Sequence, residues 1–312
     1  MKKIFFALAA LVLAFTGCSQ EEDAIQVREK KAVKVVVNMD KPGFGEDTRA
    51  ARTEWVEGDE VVAVLANQFG VYVKLTYQEN KTWETAFYRY DEDEEGYIEL
   101  SGEESASLVA ELETALSSGS VKAAYFSSGV LGVNYNETDV HIITKALTQD
   151  MGECIMTCED GEYSVSGGVL TLGITMIPQV AQFTIKDLDI ADDYYVEYAG
   201  TITAYASGII TAGGVELNPV GEPGIEYGAW VHDNEDGISI YASPWEEVPD
   251  GFEEAVTNVG GLGYFCFTLY DADNNQYYRE FPKKKTLKNG GAVIFDGPTT
   301  VGAEDKWEYH EM

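Results

Sequence analysis

The sequence predicts an all-β chain built of antiparallel sandwiches, and three observations carry that expectation. Apolar and polar residues alternate with a period of two in one run after another. Turn residues separate these runs at short intervals: Asn67-Gln68-Phe69-Gly70, Ser166-Gly167-Gly168, Ala212-Gly213-Gly214 and Asn289-Gly290-Gly291. A single stretch has the spacing of an amphipathic helix.

Taken in order, the β-branched run Val33-Lys34-Val35-Val36-Val37 reads as an early strand. Val71, Val73, Leu75 and Tyr77 share one face of the next clear strand, with Lys74 and Thr76 on the other. Residues 105–117 read as the helix: Leu108, Val109, Leu112, Ala115 and Leu116 form one stripe, Glu111 and Glu113 flank it, and Gly119 is placed to stop it. Alternation returns over residues 180–186 and 263–270. A polar, turn-rich stretch with Glu159-Asp160-Gly161 at its centre divides two blocks of domain size. The expected division is therefore an N-terminal β-sandwich over residues 31–160 and a C-terminal β-sandwich over residues 161–312, with one short helix in the first.

The N-terminus has a different character. Lys2 and Lys3 precede an unbroken apolar run from Ile4 to Phe15, too short to span a bilayer, and the small residues Thr16 and Gly17 lead to Cys18. Residues 1–18 read as a lipoprotein signal peptide and its lipidated cysteine, with Phe15 standing where such signals usually carry Leu. Residues 19–30 read as an acidic tether, opening with Glu21-Glu22-Asp23. That acidic start resembles the export signal by which Gram-negative anaerobes send lipoproteins to the outer face of the outer membrane.

The 312 residues carry a formal net charge of −33, which repels phosphate backbones and argues against a nucleic-acid partner. Anionic bilayers are disfavoured for the same reason, so membrane attachment is expected to run through the lipid on Cys18. Hydrophobic residues still make up 45% of the chain, enough for a globular core. Beyond Cys18 there are three cysteines, Cys154, Cys158 and Cys266; an odd number leaves at least one thiol unpaired within a monomer. Cys154 and Cys158 are close enough in sequence to bridge locally, or to be simply buried.

No catalytic constellation stands out. Gly-x-Ser-x-Gly, the phosphate-cradling Gly-rich loop and His-Glu-x-x-His are all absent, and His141, His232 and His310 are isolated. The chain is expected to be no enzyme and to need no cofactor or metal. Asp91-Glu92-Asp93-Glu94-Glu95-Gly96 imitates the start of a calcium loop, but Gly102 occupies the twelfth position where a bidentate Glu belongs, so a solvated hairpin tip is expected. Asp271-Ala272-Asp273-Asn274-Asn275 reads as a turn. Trp230, Tyr241 and Trp245, near Pro244 and Pro249, are the residues that a sugar-stacking surface would use.

Several short motifs together resemble one family. After the lipoprotein leader come the strand from Lys31 to Met39, then Asp47-Thr48-Arg49-Ala50, then Trp55-Val56-Glu57-Gly58-Asp59, a Trp-x-x-Gly-Asp pattern leading into a strand. Residues 121–127 (VKAAYFS), Phe281-Pro282 and Leu287-Lys288-Asn289-Gly290-Gly291-Ala292-Val293 extend the likeness over most of the mature chain. In these residues the sequence resembles the fimbrillin family of surface lipoproteins, the subunits of type V pili.

That resemblance implies two tandem transthyretin-like antiparallel β-sandwiches. It also implies a structural or adhesive pilus subunit, displayed on the outer membrane and incorporated into a fimbria by strand exchange with other pilus subunits. In the polymerising members a trypsin-like protease cuts after an Arg in the first domain and frees the N-terminal strand. Arg49 is the best match here and Arg52 the second; Val33, Val35, Val36 and Val37 would belong to the removable strand. No long donor strand is legible around Lys306-Trp307-Glu308-Tyr309-His310, a pattern expected of a subunit that accepts a strand, at a tip or an anchor. A host or bacterial surface receptor or glycan is a further expected partner. The alternative expectation is a monomeric outer-membrane glycan-binding lipoprotein with Trp230 and Trp245 as its platform.

Overall fold

The computed structural model describes residues 33–42, 44, 54–65, 70–136, 139–145, 152–186, 194–219, 226–231, 238–259, 262, 265–270, 276–280, 288–296 and 309–311. The chain opens with β1 (Lys34–Asp40), β2 (Glu60–Leu65), β3 (Val71–Tyr77), β4 (Trp83–Asp91) and β5 (Gly96–Glu99). Helix α1 (Gly102–Ala115) leads to β6 (Ser118–Phe126), β7 (Val130–Asn136), β8 (Asp139–Thr144), β9 (Ile155–Ser166), β10 (Val169–Thr175) and β11 (Ile177–Pro178). Then come β12 (Ala181–Lys186), β13 (Tyr194–Gly200), β14 (Ile202–Thr203), β15 (Tyr205–Ile210), β16 (Val215–Pro219), β17 (Glu226–Val231) and β18 (Ile238–Pro244). The remainder is α2 (Glu253–Val259), β19 (Phe265–Tyr270), β20 (Gln276–Glu280), β21 (Ala292–Asp296) and β22 (Tyr309–Glu311).

These strands make all-β sandwiches, as the alternation predicts. A nine-stranded sheet runs β1-β10-β9-β6-β2-β3-β4-β5, with β11 joined to β9. Strands such as β2 and the end of β6 are buried on both faces, which is why they read as continuous apolar runs. One face of the sheet packs Val61, Ala63, Leu65, Val73, Leu75 and Tyr125 against Leu108, Val109 and Leu112 of α1. The other packs Val62, Val64, Ala124 and Phe126 against a four-stranded sheet ordered β16-β15-β8-β7. The second sandwich faces a five-stranded sheet, β14-β18-β12-β21-β22, with a four-stranded one, β17-β13-β19-β20. Its core holds Phe183 stacked on Phe265 at 3.8 Å between ring centroids, with Val196, Tyr198, Ile240, Phe267 and Leu269.

Four expectations are corrected. Residue 160 lies inside β9, and Glu159-Asp160-Gly161 forms no inter-domain turn. Between the pairs Val121↔Gly161 and Ala123↔Cys158, β9 carries one more residue than β6, so the polar triplet is a β-bulge. Second, β15 and β16, assigned by sequence to the C-terminal sandwich, pair through β15 with β8 and complete the first. Lys122 of β6 donates to the Ala212 carbonyl in their connecting loop, fastening them there. Third, the sheets are not purely antiparallel: β1 runs parallel to β10, and β12 parallel to β21. Fourth, α1 starts and stops earlier than expected, and a short α2 accompanies it.

The start of α1 is set by a capping box. Ser101 accepts from the Glu104 amide while the Glu104 carboxylate accepts from the Ser101 amide. Ala115 ends the helix exposed, and Gly119 lies within β6 under the Tyr163 ring, where a Cβ would stand 2.6 Å from the ring. The acidic tip, by contrast, is the expected hairpin: Asp91 accepts from the amides of Asp93 and Glu94, and Glu95 turns with φ +50°. Cys154 and Cys158 are both buried, with no disulfide between them. Burial pushes the Cys158 thiol pKa up.

Glu60 links the two sheets of the first sandwich. Its carboxylate accepts from the Val130 amide at the start of β7 and from Lys145 beyond β8, with Lys74 at 3.5 Å. Burial alone would raise its pKa. The Lys145 hydrogen bond, the Val130 amide and the two lysine charges outweigh it and hold the group below 4.5. A depressed carboxylate stabilises fully above its unfolded pKa and loses that contribution as pH falls through the folded one. Glu60→Gln should therefore flatten the fall in unfolding free energy below about pH 4.5, as read from urea melts across the acid range. At the bulge, a Cβ on Gly161 would stand about 3 Å from the Val121 and Gly173 carbonyls and the Cys158 sulfur. Gly161→Ala should cost about 1–3 kcal/mol in the same melts.

Candidate functional site

The site with the most distinctive chemistry is the seat of the first strand. Its floor is β10, which the turn Ser166-Gly167-Gly168-Val169 folds back onto β9. Both glycines have positive φ, +59° and +73°, as a two-residue hairpin turn of this hand requires. The Glu113 carboxylate on α1 accepts from both glycine amides, at 2.6 and 3.0 Å, and so clamps the hairpin to the helix. On this floor β1 lies in parallel register from Lys34↔Val169 to Asp40↔Thr175.

Among the described residues β10 is the only partner of β1, which makes it an edge strand. Val33, Val35, Val37 and Met39 point one way and pack against the core that includes Leu170, Leu172 and Ile174. Each is half-buried. Lys34 and Asn38 on the opposite face are exposed, while Val36 is half-buried. Fully burying one such aliphatic side chain stabilises by roughly 1.5–3 kcal/mol, so the four together hold the strand by several kcal/mol. An open groove of about 750 Å³ lies beside the ends of β1 and β10, lined by Val37, Met39, Pro42, Ile174 and Met176 among others.

One position further along the same face is Lys41, and it is buried. Its ammonium donates to Asp59 Oδ2 at 2.7 Å and to the Tyr125 hydroxyl at 3.2 Å. It also stands 4.8 Å from the Trp55 ring centroid and 4.6 Å from that of Tyr125. The side chains of Lys41 and Asp59 are 2% and 4% exposed. Asp59 Oδ1 accepts from the Tyr125 hydroxyl and Oδ2 also accepts from the Val56 amide. Trp55 packs edge-on against Tyr125 and Trp83.

This geometry explains the Trp-x-x-Gly-Asp pattern. Gly58, at φ +87°, makes the tight turn that lets Asp59 reach back to the Val56 amide. The Gly58 amide donates to the Tyr77 carbonyl and the Asp59 carbonyl accepts from the Tyr77 amide, which anchors the turn beside β3. Trp55 closes one side of the resulting pocket, Asp59 charges it, and Lys41 fills it. Sequence reading identified Trp55, Asp59 and the stretch containing Tyr125 but missed Lys41. Its signal was the odd-numbered series Val33, Val35, Val37, Met39, Lys41, in which the lysine continues the inward face.

The other expected site residues fall differently. Cys18, Arg49 and Arg52 lie outside the described residues. Trp245 is buried, donates its indole N–H to Thr203 Oγ1 at 2.6 Å and packs on Phe252, so it offers no exposed stacking face. Trp230 lies on β17. A cluster of tyrosines does form, with Tyr72 stacked on Tyr88 at 4.6 Å and Tyr97 edge-on to Tyr72. It packs against the core between the two sheets of the first sandwich. Burial, with Glu99 alongside, pushes the Tyr88 phenol pKa up to about 12. Among the described residues no group of three or more His, Cys, Asp or Glu is placed to hold a metal ion.

Lys41 without its partner, or Asp59 without its own, would leave a buried charge unmatched. Lys41→Met should therefore destabilise the intact chain by about 3–5 kcal/mol in urea unfolding. Lys34→Met, on the exposed face of the same strand, should change it by less than about 0.5 kcal/mol.

No family model matches the chain, and no curated protein matches it. Its fold has neighbours among solved structures. One is a candidate cell-adhesion protein from Bacteroides uniformis, with TM-score 0.43 and 9% identity over 89% of this chain and 98% of that one. Another candidate cell-adhesion protein, from Bacteroides ovatus, gives TM-score 0.44 and 10% identity over 90% of this chain and 96% of the other. The tip fimbrial protein of Porphyromonas gingivalis, with a C-terminal truncation, gives TM-score 0.26 and 10% identity over 88% and 99%. These neighbours are described as cell-adhesion and fimbrial proteins.

Proposed function

We propose that this chain is a cell-surface lipoprotein that serves as a structural or adhesive fimbrial subunit, joining its neighbours by strand exchange after N-terminal proteolysis. The observation that supports this most directly is the position of β1. It completes the hydrophobic core of the first sandwich, yet among the described residues it is bonded along one edge only. A strand inside a sheet cannot leave without breaking two ladders; an edge strand breaks one.

The strand precedes the segment that holds Arg49 and Arg52. A trypsin-like cut after either arginine separates the ribbon from the rest of the fold without cutting any described element. Departure of the ribbon exposes the β10 edge and the apolar faces of Leu170, Leu172 and Ile174. An extended segment of another subunit restores both the backbone hydrogen bonds and the side-chain packing. In this reading the lipid on Cys18 holds the uncut chain at the outer membrane, and the cut frees the folded part for the fimbria.

The test uses soluble protein lacking its leader and carrying Cys18→Ala, treated with limiting trypsin. Mass spectrometry should place the first cut after Arg49 or Arg52, and the nicked protein should form laddered oligomers that uncut protein does not. Replacing both arginines by Ala should abolish the cut and the ladder together. Nicked protein that stays monomeric and keeps its N-terminal fragment through gel filtration in mild denaturant would overturn the proposal.

A further inference from the structure

We infer that the pocket formed by Trp55, Asp59 and Tyr125 is a cation-selective register site. It selects an incoming strand that carries a lysine six residues beyond the first of three alternating apolar residues, as Val35, Val37, Met39 and Lys41 do now. The inference rests on the strand-exchange reading and names the partner chemistry that this reading requires.

A cut at Arg49 or Arg52 removes Lys41 along with the valines, because all lie on the N-terminal side of the cut. What stays is Asp59, whose side chain is 4% exposed and whose carboxylate loses its 2.7 Å ammonium partner. The Val56 amide and Tyr125 hydroxyl still donate to it, but neither carries charge. The Trp55 and Tyr125 rings, both within 5 Å of the Lys41 nitrogen, present π-faces that favour a cation and offer nothing to an anion. The vacated pocket is thus one negative charge, two aromatic faces and one hydroxyl at the end of an apolar groove.

An apolar donor strand would fill the groove yet leave that charge unmatched. A strand with lysine at the matching position satisfies both. A shift of one residue would turn the lysine to solvent and the neighbouring side chains inward, because side chains alternate faces along a strand. The pocket therefore reads position as well as charge. Position matters in a protein of net charge −33, which attracts any basic peptide without regard to register.

The experiment uses the nicked protein from which the ribbon has been displaced in mild denaturant, with the tryptophans left unaltered. Three synthetic peptides are offered: residues 33–43 as they stand (VKVVVNMDKPG), the same with Lys41→Met, and the same with Asp40 and Lys41 exchanged. The native peptide should bind at least about tenfold more tightly than either other, by calorimetry or fluorescence anisotropy. The exchanged peptide has the same composition and net charge, so its weakness would report where the charges sit and not how many there are. The difference should persist at 0.5 M salt, because a buried pair is little screened. Equal binding of all three would overturn the inference and leave strand exchange standing. Binding of none, with the ribbon gone, would overturn strand exchange and the inference with it.

Discussion

The carboxylate of Asp59 is the group around which the first sandwich is organised. It is nearly sealed from water, and each bond it accepts comes from a different part of the fold. The Val56 amide belongs to its own turn, the Tyr125 hydroxyl to β6, and the Lys41 ammonium to the segment just past β1. A charge buried this deeply persists only if its partners are held in place, so the turn at Gly58, strand β6 and the end of β1 constrain one another. The hydrophobic core below tolerates some sliding between aliphatic side chains; the ion pair does not. Val33 to Met39 supply most of the burial along the strand, and Lys41 supplies its exact register.

The two sandwiches make the point by comparison. Each places its first strand parallel to a late one: β1 beside β10, and β12 beside β21. Strand β12 lies inside its sheet, flanked by β18 as well as β21. Strand β1 has β10 alone among the described residues. A shared architectural plan thus has, among the described residues, an edge first strand in one copy and a locked one in the other. The locked copy is also tied to its neighbour. The chain leaves the second sandwich after β14 to lay β15 and β16 on the first, with Gly208 close against the Phe126 ring. Those strands cover one face of the nine-stranded sheet while β1 covers part of the other, so losing β1 uncovers a single core only.

Much of this was legible in the sequence where a signal was local. The alternation of residues 71–77 matches β3 at both ends, and the β-branched run at 33–37 falls in and just before β1. Leu108, Val109 and Leu112 are buried on α1 as their spacing predicts. Pairing partners are not a local property. Nothing in residues 205–219 marks them as belonging with β8, because an antiparallel hairpin has the same alternation whichever sheet receives it. The bulge in β9 was misread for a related reason: Glu159-Asp160-Gly161 has turn composition, and a strand that inserts one extra residue needs the same small and polar residues as a turn. Lys41 was missed because a lysine after a polar residue and before Pro42-Gly43 looks like the solvated end of a strand.

That lysine could have been an aliphatic residue at less energetic risk. Replacing a buried ion pair by well-packed hydrophobic side chains is often neutral or stabilising, and the four apolar residues before Lys41 already favour burial. An apolar fifth residue would have a different consequence. A groove lined only by aliphatic side chains accepts many strands, and by sliding two residues it accepts the same strand in a second register. A charged pocket at one end removes that freedom, since a wrong register leaves Asp59 unmatched and costs several kcal/mol. For a monomer whose first strand is never exchanged, covalent continuity into the Gly58 turn already restricts the register, and the added specificity has little use. For a strand that must be replaced from outside, no such continuity exists. There the buried ammonium is the feature that distinguishes the correct alignment from its neighbours.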